Sequence, residues 1–227
     1  MIKNETVLVA LKLLIITAVA ALCLAVVNKI TAPVIEKNRI ATMEAAQREV
    51  LETAQSFEKI TDFSAVDLSS EEANGVYVEE LYKGTSKDGE LVGYVVSAVS
   101  TRGYGGNIKV MAGISSDLKI NRVKITETKE TAGLGLKASE PEFINQFALR
   151  DKKMKVIKNS PPTSEGEDIA AISSATVTSK AVTNAVNISL ELVKRIDKKM
   201  DNDSKTVVEA IKEEIDKETE RQMKEDE

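Results

Sequence analysis

The chain has 227 residues, of which 42% are hydrophobic and 30% are charged, so it can form one domain of ordinary size with helical extensions. It contains no histidine and only one cysteine, Cys23, which leaves no ordinary ligand set for zinc, haem or an iron–sulfur cluster. Residues 203–227 hold ten acids and five bases and account for the whole net charge of −5. The remainder has no basic stripe and few aromatic residues, so we expect neither a metal site nor nucleic-acid binding. Any redox chemistry would require an organic cofactor.

The first predicted element is an apolar helix. Residues 7–27 include a single charge, Lys12, and as a helix they would extend roughly 30 Å, the thickness of the hydrocarbon core of a bilayer. A cleaved signal peptide is the alternative, but no small-residue cleavage site follows the apolar run. A lipoprotein signal would need a small residue where Leu22 precedes Cys23. We therefore predict a transmembrane anchor over residues 1–30, in contact with membrane lipid.

The orientation of this anchor is predicted from the layout of the chain. Lysines flank the apolar segment on both sides, so the positive-inside rule does not decide it. A very short N-terminal tail before a large domain is typical of a signal anchor. We expect a single-pass protein of the bacterial cell membrane with its domain on the extracytoplasmic side. Residues 31–75 then form a stalk helix and linker, with Pro33 where the span would leave the bilayer.

The next segment predicts a mainly antiparallel sheet. Four runs are rich in valine, isoleucine and tyrosine, and short turns containing glycine, asparagine, aspartate or serine separate them. Short turns between consecutive strands imply antiparallel pairing. The predicted strands cover residues 76–82, 91–99, 107–114 and 118–126.

Helices complete the predicted domain. Residues 141–149 begin with proline and predict a short helix, residues 160–167 predict a loop, and apolar residues at helical spacing follow Ser179. The fold class is therefore α+β, with a domain over residues 76–196 whose sheet is flanked by helices. Residues 197–227 predict a charged helical tail, either solvated or docked on a partner.

A run of hydroxyl side chains lies directly before the last long helix of the domain. It reads Ile-Ser-Ser-Ala-Thr-Val-Thr-Ser over residues 172–179. Unpaired amides at a helix start attract an anion, and hydroxyl groups add neutral donors, so the run suits a phosphate group. Serine and threonine are also the ordinary helix caps, so the run alone is equally compatible with a plain helix start.

Three motifs in order identify a family. The hydroxyl run resembles the flavinylation motif Asp-x-x-Ser-Gly-Ala-Thr-x-Thr-Ser of the covalent FMN-binding domains, found in the G subunit of the Rnf complex and the C subunit of sodium-pumping NADH:quinone reductase. Residues 103–108, Gly-Tyr-Gly-Gly-Asn-Ile, resemble the strand entry of that family. Residues 129–135, Lys-Glu-Thr-Ala-Gly-Leu-Gly, resemble its Lys-Glu-Thr-Pro-Gly-Leu-Gly loop, which lies against the flavin.

The resemblance implies a covalent flavin. Thr176 would carry FMN through a phosphoester bond made by a flavin transferase, and the chain would have no catalytic residues of its own. The other cofactor contacts implied are Ser173, Ser174, Ala175, Thr178 and Ser179 for the phosphate region, and Tyr104, Thr131, Gly133, Leu134 and Gly135 for the ring. The chain departs from the family motifs at Ala170 in place of aspartate, at Ser174 in place of glycine and at Ala132 in place of proline.

The resemblance also implies a role. The chain would be an electron-relay subunit of a ferredoxin:NAD oxidoreductase complex coupled to sodium or proton translocation, and its partners would be the other membrane and peripheral subunits. No dinucleotide fingerprint follows a strand here, so entry and exit cofactors would belong to those partners. Two alternatives remain: a stand-alone membrane-anchored flavoprotein for extracytoplasmic electron transfer, and a noncatalytic extracytoplasmic adaptor.

Overall fold

The structure, a computed structural model, describes residues 4–61, 73–158 and 167–225. Two compact units are present, one ending at Ala45 and the other beginning at Ala46. The helices are α1 Asn4–Val50, α2 Pro141–Ile144 and α3 Thr176–Glu225, with 3-10 turns at Gly135–Ser139 and Asn145–Phe147. The strands are β1 Ser56–Ile60, β2 Val76–Thr85, β3 Leu91–Ser100, β4 Ile108–Ser115, β5 Ile120–Glu127, β6 Lys155–Ile157 and β7 Asp168–Ala170.

Helix α1 contains the predicted membrane span. All of its large apolar side chains between Val7 and Ile35 are at least half exposed, a surface that water would solvate poorly and a bilayer would cover. Within the described residues, it is the one helix long and apolar enough to cross a membrane. The helix continues through Pro33, so this proline lies inside the helix and not at its end.

Strands β1 to β5 form one antiparallel sheet in chain order. The four predicted strands correspond to β2, β3, β4 and β5. Strand β1 was not predicted and lies in the segment assigned to the stalk and linker. Its side chains are exposed or half-buried, so its sequence lacks the apolar alternation that marks a strand with one buried face.

The two faces of the sheet are covered differently. Strand residues alternate between faces, and Tyr94, Val96 and Ala98 of β3 belong to the main core together with α3. On the opposite face, Gly113 of β4 lies against the backbone of Val50, and Gly84 of β2 lies against Leu51. The domain therefore has three layers, and the residues that end α1 form one of them.

Polar contacts attach this third layer to the sheet. The side-chain amide of Asn121 donates to the Val50 carbonyl oxygen over 2.9 Å. Arg122 of β5 pairs with Glu52 at 2.6 Å, and Lys124 pairs with Glu49. The ion pairs are exposed and contribute little each, so backbone contact at Gly113 is the feature that brings the layers close.

Helix α2 begins with Pro141 at its first position, as the sequence predicted, and the chain then continues as 3-10 structure to Phe147. Helix α3 begins at Thr176, three residues before the predicted start at Ser179, and runs to Glu225. The predicted loop at residues 160–167 lies outside the described residues except for Glu167. Strands β6 and β7 form a short parallel pair that was not predicted.

We predict that Gly113→Ala destabilises the domain. A Cβ at this position would overlap the Val50 carbonyl oxygen, and the backbone would have to shift. We expect a loss of about 1–3 kcal/mol in the free energy of unfolding, as for other overpacked sites. Denaturant unfolding of the detergent-solubilised chain measures it, with Ser116→Ala in an exposed turn as the control. Equal stability of the two variants would contradict the close packing described here.

Candidate functional site

Three loops meet at one end of the sheet. In an antiparallel sheet built in chain order, β3 and β5 run in the same direction, so the turn after β3 and the segment after β5 lie at the same end. Residues 101–107 form that turn, and residues 128–135 follow β5. The loop between β7 and α3, residues 171–175, completes the group. These are the three motifs that the sequence predicted to act together.

The loops enclose an open cavity of about 390 Å³. This volume is within the range of small-molecule and cofactor sites. Eight predicted contacts line it: Tyr104, Thr131, Leu134, Gly135, Ser174, Ala175, Thr176 and Thr178. Two further residues complete the lining, Glu130 and Val177.

Three predicted contacts do not line this cavity. Gly133 lies in the same loop at a φ of 77°, a left-handed conformation that suits glycine. Ser173 faces a smaller neighbouring cavity together with Phe143 and Gln146. Ser179 is fully buried beneath the loop. Their placement gives them roles in shaping the loops and not in lining the cavity.

Ser179 holds the loop before α3 in place. Its hydroxyl oxygen accepts from the Ile172 amide over 3.0 Å and donates to the Ala175 carbonyl oxygen over 2.9 Å. The Ser179 hydroxyl, which was expected to contact the phosphate, thus already bonds two local backbone groups. The side chain fixes the loop through which Thr176 is presented.

Gln146 anchors the other end of this loop. Its side-chain oxygen accepts from the Ala170 amide over 2.7 Å, and its side-chain nitrogen donates to the Ala170 carbonyl oxygen over 3.4 Å. Ala170 occupies the position where the family motif has aspartate. Because Gln146 binds backbone atoms, this contact is independent of the side chain at position 170.

The start of α3 is open to an anion. The Ser179 amide donates to the Ala175 carbonyl oxygen over 3.0 Å, which makes Ala175 the N-cap residue. The amides of residues 176–178 then have no acceptor within the helix. Alanine is among the poorest N-cap residues because it has no side-chain oxygen to bind these amides. The amides and the positive end of the helix dipole thus remain available to a phosphate group.

Ser174 adopts the backbone conformation of the glycine that it replaces. Its φ is 62°, in the left-handed region that costs a non-glycine residue roughly 1–2 kcal/mol. The glycine in the family motif is therefore explained by this left-handed conformation. Serine at this position keeps the same turn with some backbone strain. The Ser174 side chain is exposed at the cavity edge.

Thr176 is the first residue of α3 and is half-buried at the edge of the cavity. A group bonded to its hydroxyl oxygen is thereby next to both the open helix start and the cavity. The mouth of the cavity is apolar: Tyr104 is 77% exposed, Val177 51% and Leu134 45%. An aromatic ring system with a phosphate at one end matches this arrangement of an anion site beside apolar side chains.

Glu130 joins two walls of the cavity. Its Oε1 accepts from the amides of Tyr104 and Gly105 over 2.7 and 3.2 Å, and a Cβ at Gly135 would overlap its Oε2. Glu130 was not among the predicted contacts, because its partners lie 25 and 26 residues earlier in the chain. Its position inside the Lys-Glu-Thr motif was the available signal.

Comparison with known proteins agrees with this site. The FMN-binding domain family matches residues 103–191. The G subunit of the Na(+)-translocating ferredoxin:NAD(+) oxidoreductase complex of Acetobacterium woodii is 39% identical over 189 residues, 82% of this chain and 90% of the relative. The G subunit of the ion-translocating oxidoreductase complex of Methanosarcina acetivorans is 33% identical over 192 residues, 84% and 96% of the two chains.

A solved structure shares the fold. The crystal structure of NqrC from Shewanella oneidensis matches with a TM-score of 0.51 at 17% sequence identity, over 66% of this chain and 93% of that one. The family match, together with the candidate membrane span, thus defines an FMN-binding domain on a membrane-associated chain. The chain belongs to the family of G subunits of ion-translocating oxidoreductase complexes, which confirms the resemblance to the Rnf complex.

We predict opposite effects of two substitutions at Ser174. Ser174→Gly relieves the left-handed strain but increases the entropy of the unfolded chain, so we expect a net stabilisation of up to about 1 kcal/mol. Ser174→Val adds a β-branched side chain at positive φ and should destabilise by about 1–2 kcal/mol. Denaturant unfolding of both variants measures the difference. A valine variant as stable as the glycine variant would show that residue 174 is not left-handed.

Proposed function

We propose that the chain carries FMN covalently, through a phosphoester bond to the Thr176 hydroxyl oxygen, as an electron-relay subunit. The observation that carries the proposal is the position of Thr176 between an uncapped helix start and an apolar-mouthed cavity. A phosphodiester keeps one negative charge, which the amides of residues 176–178 can bind without an arginine. FMN supplies the electron chemistry when bound, and the protein supplies attachment and orientation.

The cavity residues then divide into two groups. Ser174, Ala175 and Thr178 surround the phosphate, and Ser179 and Ser173 belong to the loop that positions it. Tyr104, Thr131, Leu134 and Gly135 lie where the ring would rest, with Gly133 in the turn of the same loop. Glycine at position 135 permits the close approach to Glu130 that a side chain would block.

The relatives indicate the larger assembly. They are named as subunits of ferredoxin:NAD(+) and ion-translocating oxidoreductase complexes, and each is covered almost completely by this chain. We infer that this chain works in such a complex, between cofactors held by other membrane and peripheral subunits. This membership favours the complex over a stand-alone flavoprotein, and the FMN-binding domain argues against a noncatalytic adaptor.

The proposed organisation of the chain into segments is the one predicted from the sequence. We propose a single-pass anchor over residues 1–30, a stalk and linker over 31–75, the FMN-binding domain over 76–196 and a charged tail over 197–227. The domain would lie on the extracytoplasmic side of a bacterial cell membrane. A covalent bond suits that location, because a flavin lost from the domain there could not be replaced from a cytoplasmic pool.

Mass spectrometry of the intact chain tests the attachment. When the chain is coexpressed with a flavin transferase, we expect an added mass of one FMN unit less one water, located on the peptide that contains Thr176. Thr176→Ala should remove this mass completely because no hydroxyl oxygen remains at the helix start. Ser116→Ala is the control, because it removes an exposed hydroxyl from the turn between β4 and β5, at the opposite end of the sheet, and it should retain the mass. An unmodified wild-type peptide would refute the covalent attachment.

Labelling of a single cysteine tests the side of the membrane. Lys87 lies in the exposed turn between β2 and β3, so a Lys87→Cys variant in a Cys23→Ser background presents one reactive thiol. We expect a membrane-impermeant maleimide to label it in spheroplasts with an intact inner membrane. The Cys23→Ser protein alone is the blank. Labelling only after lysis would place the domain in the cytoplasm.

A further inference from the structure

Glu130 is the one charged residue among those that line the cavity in the described part of the chain. It is 9% exposed, and its Oε1 receives two backbone amides, from Tyr104 and Gly105. Burial of a charge is costly unless hydrogen bonds or an opposite charge compensate for it. Burial of a carboxylate at this point of the cavity wall therefore costs free energy that a neutral side chain making the same contacts would not cost.

No cation among the residues that the structure describes compensates for this carboxylate. None of their ion pairs includes Glu130, and its neighbour Lys129 is exposed. The two amides bind Oε1, while Oε2 lies against Gly135 in the loop where the ring would rest. The ionised carboxylate thus places a negative charge at the cavity wall that no cation of the described residues offsets, in surroundings where electrostatic effects are stronger than in water.

We propose that Glu130 is a positioning residue with two functions: its amide contacts join the two ring-contacting loops, and its charge lowers the reduction potential of the flavin. The proposal rests on the proposed attachment of FMN. Reduction of the ring adds two electrons, and when only one proton accompanies them the ring gains one negative charge. A nearby buried carboxylate opposes that charge and so disfavours reduction.

Two variants separate the functions. Glu130→Gln has nearly the same shape and keeps an oxygen that can accept from both amides, but it removes the charge. Glu130→Asp keeps the charge but shortens the side chain, so it reaches the two amides less well. Glu140→Gln is the matched control, because it removes the same charge from an exposed residue that does not line the cavity.

The main experiment is a spectroscopic redox titration of the flavin-loaded full-length protein with mediator dyes. We expect the midpoint potential to shift upward in Glu130→Gln by more than in Glu140→Gln, and to stay near the wild-type value in Glu130→Asp. Hydrogen exchange of the Tyr104 and Gly105 amides in the flavin-free protein should show the reverse order, faster in Glu130→Asp than in Glu130→Gln.

The outcomes distinguish this proposal from the proposed function. A wild-type chain without the FMN mass would refute both. If the flavin is attached but Glu130→Gln titrates like Glu140→Gln, the charge has no effect on the potential and the inference is wrong. Equal upward shifts in Glu130→Asp and Glu130→Gln would assign the effect to loop geometry and would also overturn it. If Glu130→Gln does not fold, a wild-type-like potential in Glu130→Asp supports the charge requirement and a raised one refutes it.

Discussion

The site depends on how the loop before α3 is held. The Ser179 hydroxyl bonds to the backbone at Ile172 and Ala175, and Gln146 binds the backbone of Ala170. Because the Ser179 and Gln146 side chains already bond these backbone groups, the loop keeps its shape without a capping side chain at the start of α3. Alanine can therefore stand at the N-cap, and the amides of residues 176–178 stay without a capping side chain. A serine or aspartate cap would occupy the amides that a phosphate group needs.

The sheet and much of the site were predictable from the sequence because their signals are local. Runs rich in valine, isoleucine and tyrosine and the short turns between them marked β2 to β5. The three motifs contain all ten residues that line the cavity, and eight of these were predicted as contacts. Strands β1, β6 and β7 were not predicted, because they are formed by pairing with a partner strand and not marked by their own sequence pattern. The hydroxyl run predicted a phosphate site, but it did not predict which hydroxyls point inward. Ser179 is buried, and its hydroxyl bonds the backbone of the loop.

The burial of Glu130 depends on contacts between segments that are distant in the sequence. A glutamate after a strand is ordinarily a solvated residue, and apart from its place in the Lys-Glu-Thr motif the sequence does not predict its burial. Its burial follows from the topology, because the turn after β3 and the segment after β5 meet at one end of the sheet. Gly105 allows close approach to the backbone at Lys129 and Glu130, and this approach brings the amides within reach of the carboxylate. The glycines in both motifs are therefore parts of one contact.

The open cavity and the proposed covalent bond are consistent with each other. A cofactor held by noncovalent contacts alone must be largely enclosed, since affinity comes mainly from buried surface and matched polar groups. Here the mouth is wide and its apolar side chains, Tyr104 and Val177 among them, face outward. The proposed attachment through Thr176 would make retention independent of enclosure, so the ring edge would stay accessible to two partners in turn. An electron relay requires that access, because transfer needs close approach of donor and acceptor at each step.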